Sequence, residues 1–120
     1  MEPGLERTDE FTVEDRLLTD VGGTIGSSVL STPGMIAMME RNSAMLAVEH
    51  LPGGSATVGF EVCVKHVGAA LEGALCQVRS VLSEVVEDRK LRFAVEVTEG
   101  DRTIGVGTHE RRVIQVGQLG

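Results

Sequence analysis

The chain has 120 residues, 42% hydrophobic and 24% charged, proportions that exclude a disordered chain or a coiled coil and fit one globular domain spanning residues 1–120. Eighteen acidic side chains against eleven basic ones give a net charge of −7, and three Phe stand alone with no Trp or Tyr. Both features argue against nucleic-acid binding, because phosphates are repelled and bases find no stacking platform. Cys63 and Cys76 form no C-x-x-C pair and complete no four-ligand metal set with the three histidines, so no metal is expected and both thiols are read as reduced and buried. The amino terminus, MEPGLERTDEF, is acidic where a secretory signal is basic. The longest apolar runs, Met35–Met39 and Ala44–Val48, are far too short to span a bilayer. No membrane association and a cytoplasmic location are expected.

In chain order, a strand is expected around Glu10–Leu18, followed by a Gly/Ser/Thr-rich loop from Asp20 to Ser31. Thr32-Pro33-Gly34 then opens a helix, with Thr32 as N-cap and Pro33 at the first helical position. It runs without a breaker to Pro52-Gly53-Gly54 and is apolar nearly all round, the signature of a buried helix. After the stop the period becomes two: Ala56, Val58, Phe60, Val62, Val64 and His66 share one face of a long strand. Leu75–Glu87 and Leu91–Val97 form a hairpin around a charged turn, and Thr103–Val116 completes a four-stranded meander. The class is α+β, an antiparallel sheet wrapped around one long central helix, which is hot-dog architecture. Such a sheet keeps an open edge, so a homodimer is expected, with assembly into tetramers left open.

Glu40 is the most informative side chain, because its helical neighbours Ile36, Ala37, Ser43 and Ala44 offer no basic partner. A carboxylate on a buried helix must be paired, protonated or facing a cavity; the structural alternative is an ion pair with an Arg from a strand. Arg41 and Asn42 on the same helix could line a dimer contact. His66 ends the apolar row at the rim of the sheet; the alternative there is a core histidine satisfied by a backbone carbonyl. For Thr32 the alternative is N-capping alone, although its hydroxyl lies where the helix dipole favours negative charge. The basic groups Arg89, Lys90, Arg92, Arg111 and Arg112 read as solvated turn and strand-end charges. No phosphate-binding glycine loop, nucleophile elbow or His-Glu-x-x-His motif is present.

Three stretches resemble the hot-dog thioesterases of the fluoroacetyl-CoA thioesterase type: Thr32-Pro33-Gly34-Met35-Ile36-Ala37-Met38-Met39-Glu40, Gly59-Phe60-Glu61-Val62-Cys63-Val64-Lys65-His66, and Gly107-Thr108-His109-Glu110-Arg111-Arg112-Val113-Ile114. The resemblance implies hydrolysis of an acyl-CoA thioester to a carboxylic acid and free CoA, with CoA entering as part of the substrate and no separate cofactor. It implies a catalytic set of Thr32, Glu40 and His66. Glu40 would be nucleophile or general base on water, His66 the proton-transfer partner, and Thr32 the hydroxyl donor. It also implies substrate binding by Gly59, whose backbone lies against the acyl group, and by Arg111 near the CoA entrance. The family's fluoroacetate-specific member closes its pocket with an aromatic lid before the helix. Asp20–Ser31 contains no aromatic residue, and the helix carries Met35, Met38, Met39 and Met45, which points to a softer pocket and a broader acyl range. Two other readings keep the fold: a non-catalytic protein that binds an acyl-CoA or another small hydrophobic ligand, and an enoyl-CoA hydratase, for which no convincing Asp-His pair is found.

Overall fold

The structure, a computed structural model, describes residues 1–118. Strand β1 (Glu6–Thr12) leads through a 3-10 turn (Asp15–Leu17) to the short pair β2 (Leu18–Thr19) and β3 (Val29–Leu30), then to helix α1 (Thr32–Val48). Four long strands follow: β4 (Ser55–His66), β5 (Leu75–Val86), β6 (Lys90–Glu99) and β7 (Arg102–Gln115), with a terminal 3-10 turn, Val116–Gln118. The five long strands form one antiparallel sheet in the order β1-β5-β6-β7-β4. The meander is therefore three-stranded, β5-β6-β7, and β4 closes onto β7 rather than β5. The first strand ends six residues earlier than its expected limit, because Val13 turns into the core and Asp15–Leu17 coils.

Helix α1 lies across this sheet, burying Met35, Met38, Met39, Leu46 and Ala47 against Phe93, Val95, Val97 and Ile104. A Cβ on Gly105 would overlap the Met35 sulfur, so the absence of a side chain there lets the helix settle on β7. The methionines of the first two turns thus belong to the core. Coverage is one-sided, in contrast to the all-round burial expected: Ile36, Glu40, Ala44 and Met45 are half-buried, and Ala37 and Val48 are exposed. Asn42 faces β1 and donates to Asp9 Oδ2 at 2.8 Å, which removes it from any dimer contact. Among the described residues no helix is long and apolar enough to cross a membrane.

Two local features depart from simple periodicity. Ser31, not Thr32, caps the helix: its hydroxyl accepts from Gly34 N at 2.9 Å, which leaves the Thr32 hydroxyl outside the cap. In β4 the register against β7 slips between Gly59↔Arg111 and Glu61↔Glu110, so Phe60 is an extra residue in a β-bulge. The inserted residue reverses the alternation. Thr57, Gly59, Val62, Val64 and His66 face the helix, whereas Val58 and Phe60 turn outward, 41% and 60% exposed. The apolar row expected on one face is split in two. Cys63 consequently faces out and is exposed, while Cys76 is buried; both are free thiols.

Ser31→Ala should remove the cap and lower stability by about 1 kcal/mol, whereas Ser31→Asp, which can still accept from Gly34 N, should change it by less than about 0.5 kcal/mol. Chemical denaturation of the two variants checks this; equal losses would take the capping role from Ser31.

Candidate active site

Helix α1 and the edge strand β4 run side by side in opposite directions, so the start of the helix meets the end of the strand. There Thr32 Oγ1 lies 2.9 Å from His66 Nδ1. A hydroxyl freed from capping and an imidazole at the strand terminus thus form a pair, with either atom able to donate. The other ring nitrogen, Nε2, is inaccessible and has no protein partner. His66 is therefore not the carbonyl-satisfied core histidine considered from sequence, and it retains an unused hydrogen-bonding group.

Two turns further along the helix, Glu40 reaches the second group of residues. Its Oε2 is 3.5 Å from Arg111 Nη1 of β7, the strand-borne ion pair that sequence left open. It also occupies the space above Gly59: a Cβ there would stand 2.7 Å from Glu40 Oε2. Gly59 is thus required by the close approach of the carboxylate. The Glu40 side chain remains 41% exposed beside a largely buried arginine, so it has one oxygen edge open to a ligand while its position is set from behind.

Arg111 is 7% exposed, contrary to its reading as a solvated charge. Nε donates to Thr57 Oγ1 at 2.7 Å and Nη2 to the Thr57 carbonyl at 3.0 Å. Nη1 lies 3.1 Å from His109 Nε2. Burial lowers the Arg111 pKa, and Glu40 opposes that shift. These internal contacts do not place Arg111 at a solvent-facing CoA entrance. Its neighbour Arg112 stacks over the Phe60 ring at 3.7 Å on the outer face and, with Arg92, holds Glu110. Burial works against ionisation of Glu110, but the two arginines outweigh it and keep the carboxyl below its usual range.

His109, which sequence analysis quoted only as part of a motif, is 2% exposed. Its Nδ1 lies 2.8 Å from the Glu61 carbonyl oxygen and its ring is tilted against Phe93. The five residues named from sequence therefore separate into two groups, Thr32 with His66, and Glu40 with Gly59 and Arg111. Among the described residues no hydrogen bond joins Glu40 to Thr32 or His66. Thr32 and Glu40 are eight positions apart on the helix, about 12 Å along the axis. No cluster of metal-ligating side chains occurs among the described residues.

Comparison with known proteins agrees with this arrangement of elements. The model of the fluoroacetyl-CoA-specific thioesterase family, FlK, matches residues 12–117. The chain belongs to this family. A fluoroacetyl-CoA thioesterase from Streptantibioticus cattleyicolor is 34% identical over 88 residues, 73% of this chain and 63% of that protein. The aligned part thus covers less than two-thirds of that curated FlK relative. Among solved structures, an FlK variant in complex with fluoroacetate and CoA superposes with a TM-score of 0.89 at 28% identity, covering all of both chains. A Thermus thermophilus thioesterase superfamily member, 22% identical, shares the fold with a TM-score of 0.86 over 98% of this chain and 86% of that one. The expected α+β hot-dog class is the observed one.

Burial lowers the His109 pKa from 6.5, and the Arg111 charge adds to the effect against the pull of Glu61 and Glu40. The unfolded chain therefore takes up this proton first as pH falls. Stability from His109 should be complete above about pH 6.5 and decline as pH drops below it. Urea unfolding from pH 7.5 to 5 should show this acid-side loss, and His109→Gln should flatten it; an unchanged slope would remove His109 as its source.

Proposed function

We propose that the protein hydrolyses acyl-CoA thioesters, with Thr32, Glu40 and His66 as its reacting residues. The observation that carries this reading is the placement of an open-edged carboxylate over a side-chain-free strand position, Gly59, on the same helix-facing side that presents the Thr32–His66 pair. Membership of the FlK family supports the reaction class. Glu40 activates water or attacks the acyl carbon itself; either route needs its oxygen beside a carbonyl. His66 supplies a proton to the departing thiolate through its Nδ1 contact with the exposed Thr32 hydroxyl, since Nε2 is inaccessible. Arg111 holds Glu40 rather than CoA phosphate, and CoA enters as part of the substrate. The open side of α1 places the apolar residues Ile36, Ala37 and Ala44 around Glu40. No aromatic residue occurs between Asp20 and Ser31, which suits a broader acyl range than one small fluorinated unit. The free thiols suit the reducing cytoplasm.

The working unit is a homodimer. β4 is an edge strand, and Val58, Phe60 and Val62 leave apolar surface exposed along it. An antiparallel pairing of two β4 strands centred near Val62 would carry each Thr32–His66 pair toward Glu40 and Gly59 of the other copy. This would bridge the separation found within one chain.

Free-thiol release from a panel of acyl-CoA esters should be catalysed by the parent protein. Folded Glu40→Gln and His66→Ala variants should lose about 100- to 10,000-fold in kcat. Ligand-induced thermal stabilisation without thiol release would instead mark a binding protein. Refolding the two inactive variants together should restore about a quarter of parental activity, because half the dimers would hold one intact site. No recovery would mean that each site is built within a single chain.

A further inference from the structure

We propose that His109 is a positioning residue: its imidazole ties the β4 bulge to Arg111 and, through Arg111, sets the Glu40 carboxylate. This rests on the reading of Glu40 as the reacting group. The argument begins with donors and acceptors. A guanidinium has only N–H donors, so at 3.1 Å from Arg111 Nη1 the Nε2 atom of His109 must accept. The proton is then on Nδ1, which donates to the Glu61 carbonyl at 2.8 Å. Only one neutral tautomer satisfies both contacts.

Each contact anchors a different part of the site. Glu61 directly follows the extra residue of the bulge, and Gly59, which gives Glu40 its space, directly precedes it. Arg111 is clamped by Thr57 through Nε and Nη2, which leaves Nη1 to bridge His109 and Glu40. Without the Nε2 acceptor, the rigid guanidinium plane loses the contact that anchors its Nη1 corner, and the 3.5 Å approach to Glu40 loosens. His109 touches no open surface, so it acts through these neighbours and not on substrate.

The groups that face the ring are few. Arg111 lies on its own strand, Glu40 comes from α1, Phe93 from β6, and Gly59 and the Glu61 carbonyl from β4. Adding a proton at Nε2 would set a donor against the Arg111 donor, so the link to Glu40 would break on the acid side.

The experiment compares His109→Phe, His109→Gln, Glu40→Gln and the Glu40→Gln/His109→Phe double variant by steady-state kinetics on an acyl-CoA ester across pH 5–8, using the full chain. Nitrogen-15 NMR of the parent's histidines accompanies the kinetics. His109→Phe should lower kcat by about 10- to 100-fold with KM changed less than twofold, a size fitting a carboxylate displaced by about 1 Å. His109→Gln, which can still accept from Arg111, should recover most of kcat and shift its acid limb. The double variant should be no slower than Glu40→Gln alone. NMR should show His109 neutral and protonated at Nδ1 at pH 7. Parental kcat in a folded His109→Phe alongside an inactive Glu40→Gln would overturn the positioning role alone, whereas parental activity in Glu40→Gln would overturn the Glu40 reading and this role with it. If His109→Phe does not fold, the Gln variant and NMR decide: an Nε2-protonated ring, or a Gln variant with an unchanged acid limb, overturns the proposal.

Discussion

Between Gly59 and Glu61, β4 carries one residue more than the strand it pairs with, and the orientation of the site follows from that insertion. A strand without it would place Gly59 and His66 on opposite faces, since they are seven positions apart and side chains alternate. With it, both face α1. Phe60, displaced outward, meets Arg112 on the far side of the sheet, and the Glu61 carbonyl turns toward His109. A bulge is a recurrent way to aim a side chain without altering the rest of the sheet.

The second constraint is electrostatic. Arg111 is nearly buried, and an isolated cation there would be strongly disfavoured. Thr57, His109 and Glu40 together satisfy it. The outer face solves the converse problem one residue earlier, where the buried Glu110 carboxyl is held between Arg92 and Arg112. Adjacent residues of β7 therefore serve opposite faces with opposite charges, as strand alternation requires. In a chain of net charge −7 this leaves Glu40 as the partly open carboxylate facing a buried positive centre.

Much of this was legible in order and spacing. The helix start, the β5–β6 hairpin and the long β7 follow from breakers and alternation, because these signals act over a few residues; the helix itself ends at Val48, ahead of the stop at Pro52. Thr32, Glu40 and His66 stood out for reasons the structure makes concrete: Glu40 has no local partner, and His66 ends on the helix-facing side. Capping was assigned one residue late, since Ser31 and Thr32 are both favoured cap types and only the position of Gly34 N shows which of them serves. Cys76 is buried as expected, but the burial of Cys63 and of the whole helix circumference was overestimated. Apolar composition reports hydrophobicity without saying which surfaces have neighbours, and Cys63 and Ala37 have none on their open side.

The sequence by itself determined the element types, their order and the residue kinds available for chemistry, because helix stops, turn residues and periodicities are properties of neighbouring positions. Only the tertiary structure decided which of those residues meet. The bulge at Phe60 leaves no mark in composition or spacing, since it arises from matching β4 against β7, about fifty residues later. The same pairing turned Arg111 from a strand-end charge into the buried partner of Glu40 and brought His109 into the site. Long-range register sets these contacts, and register is a relation between strands that neither strand carries alone.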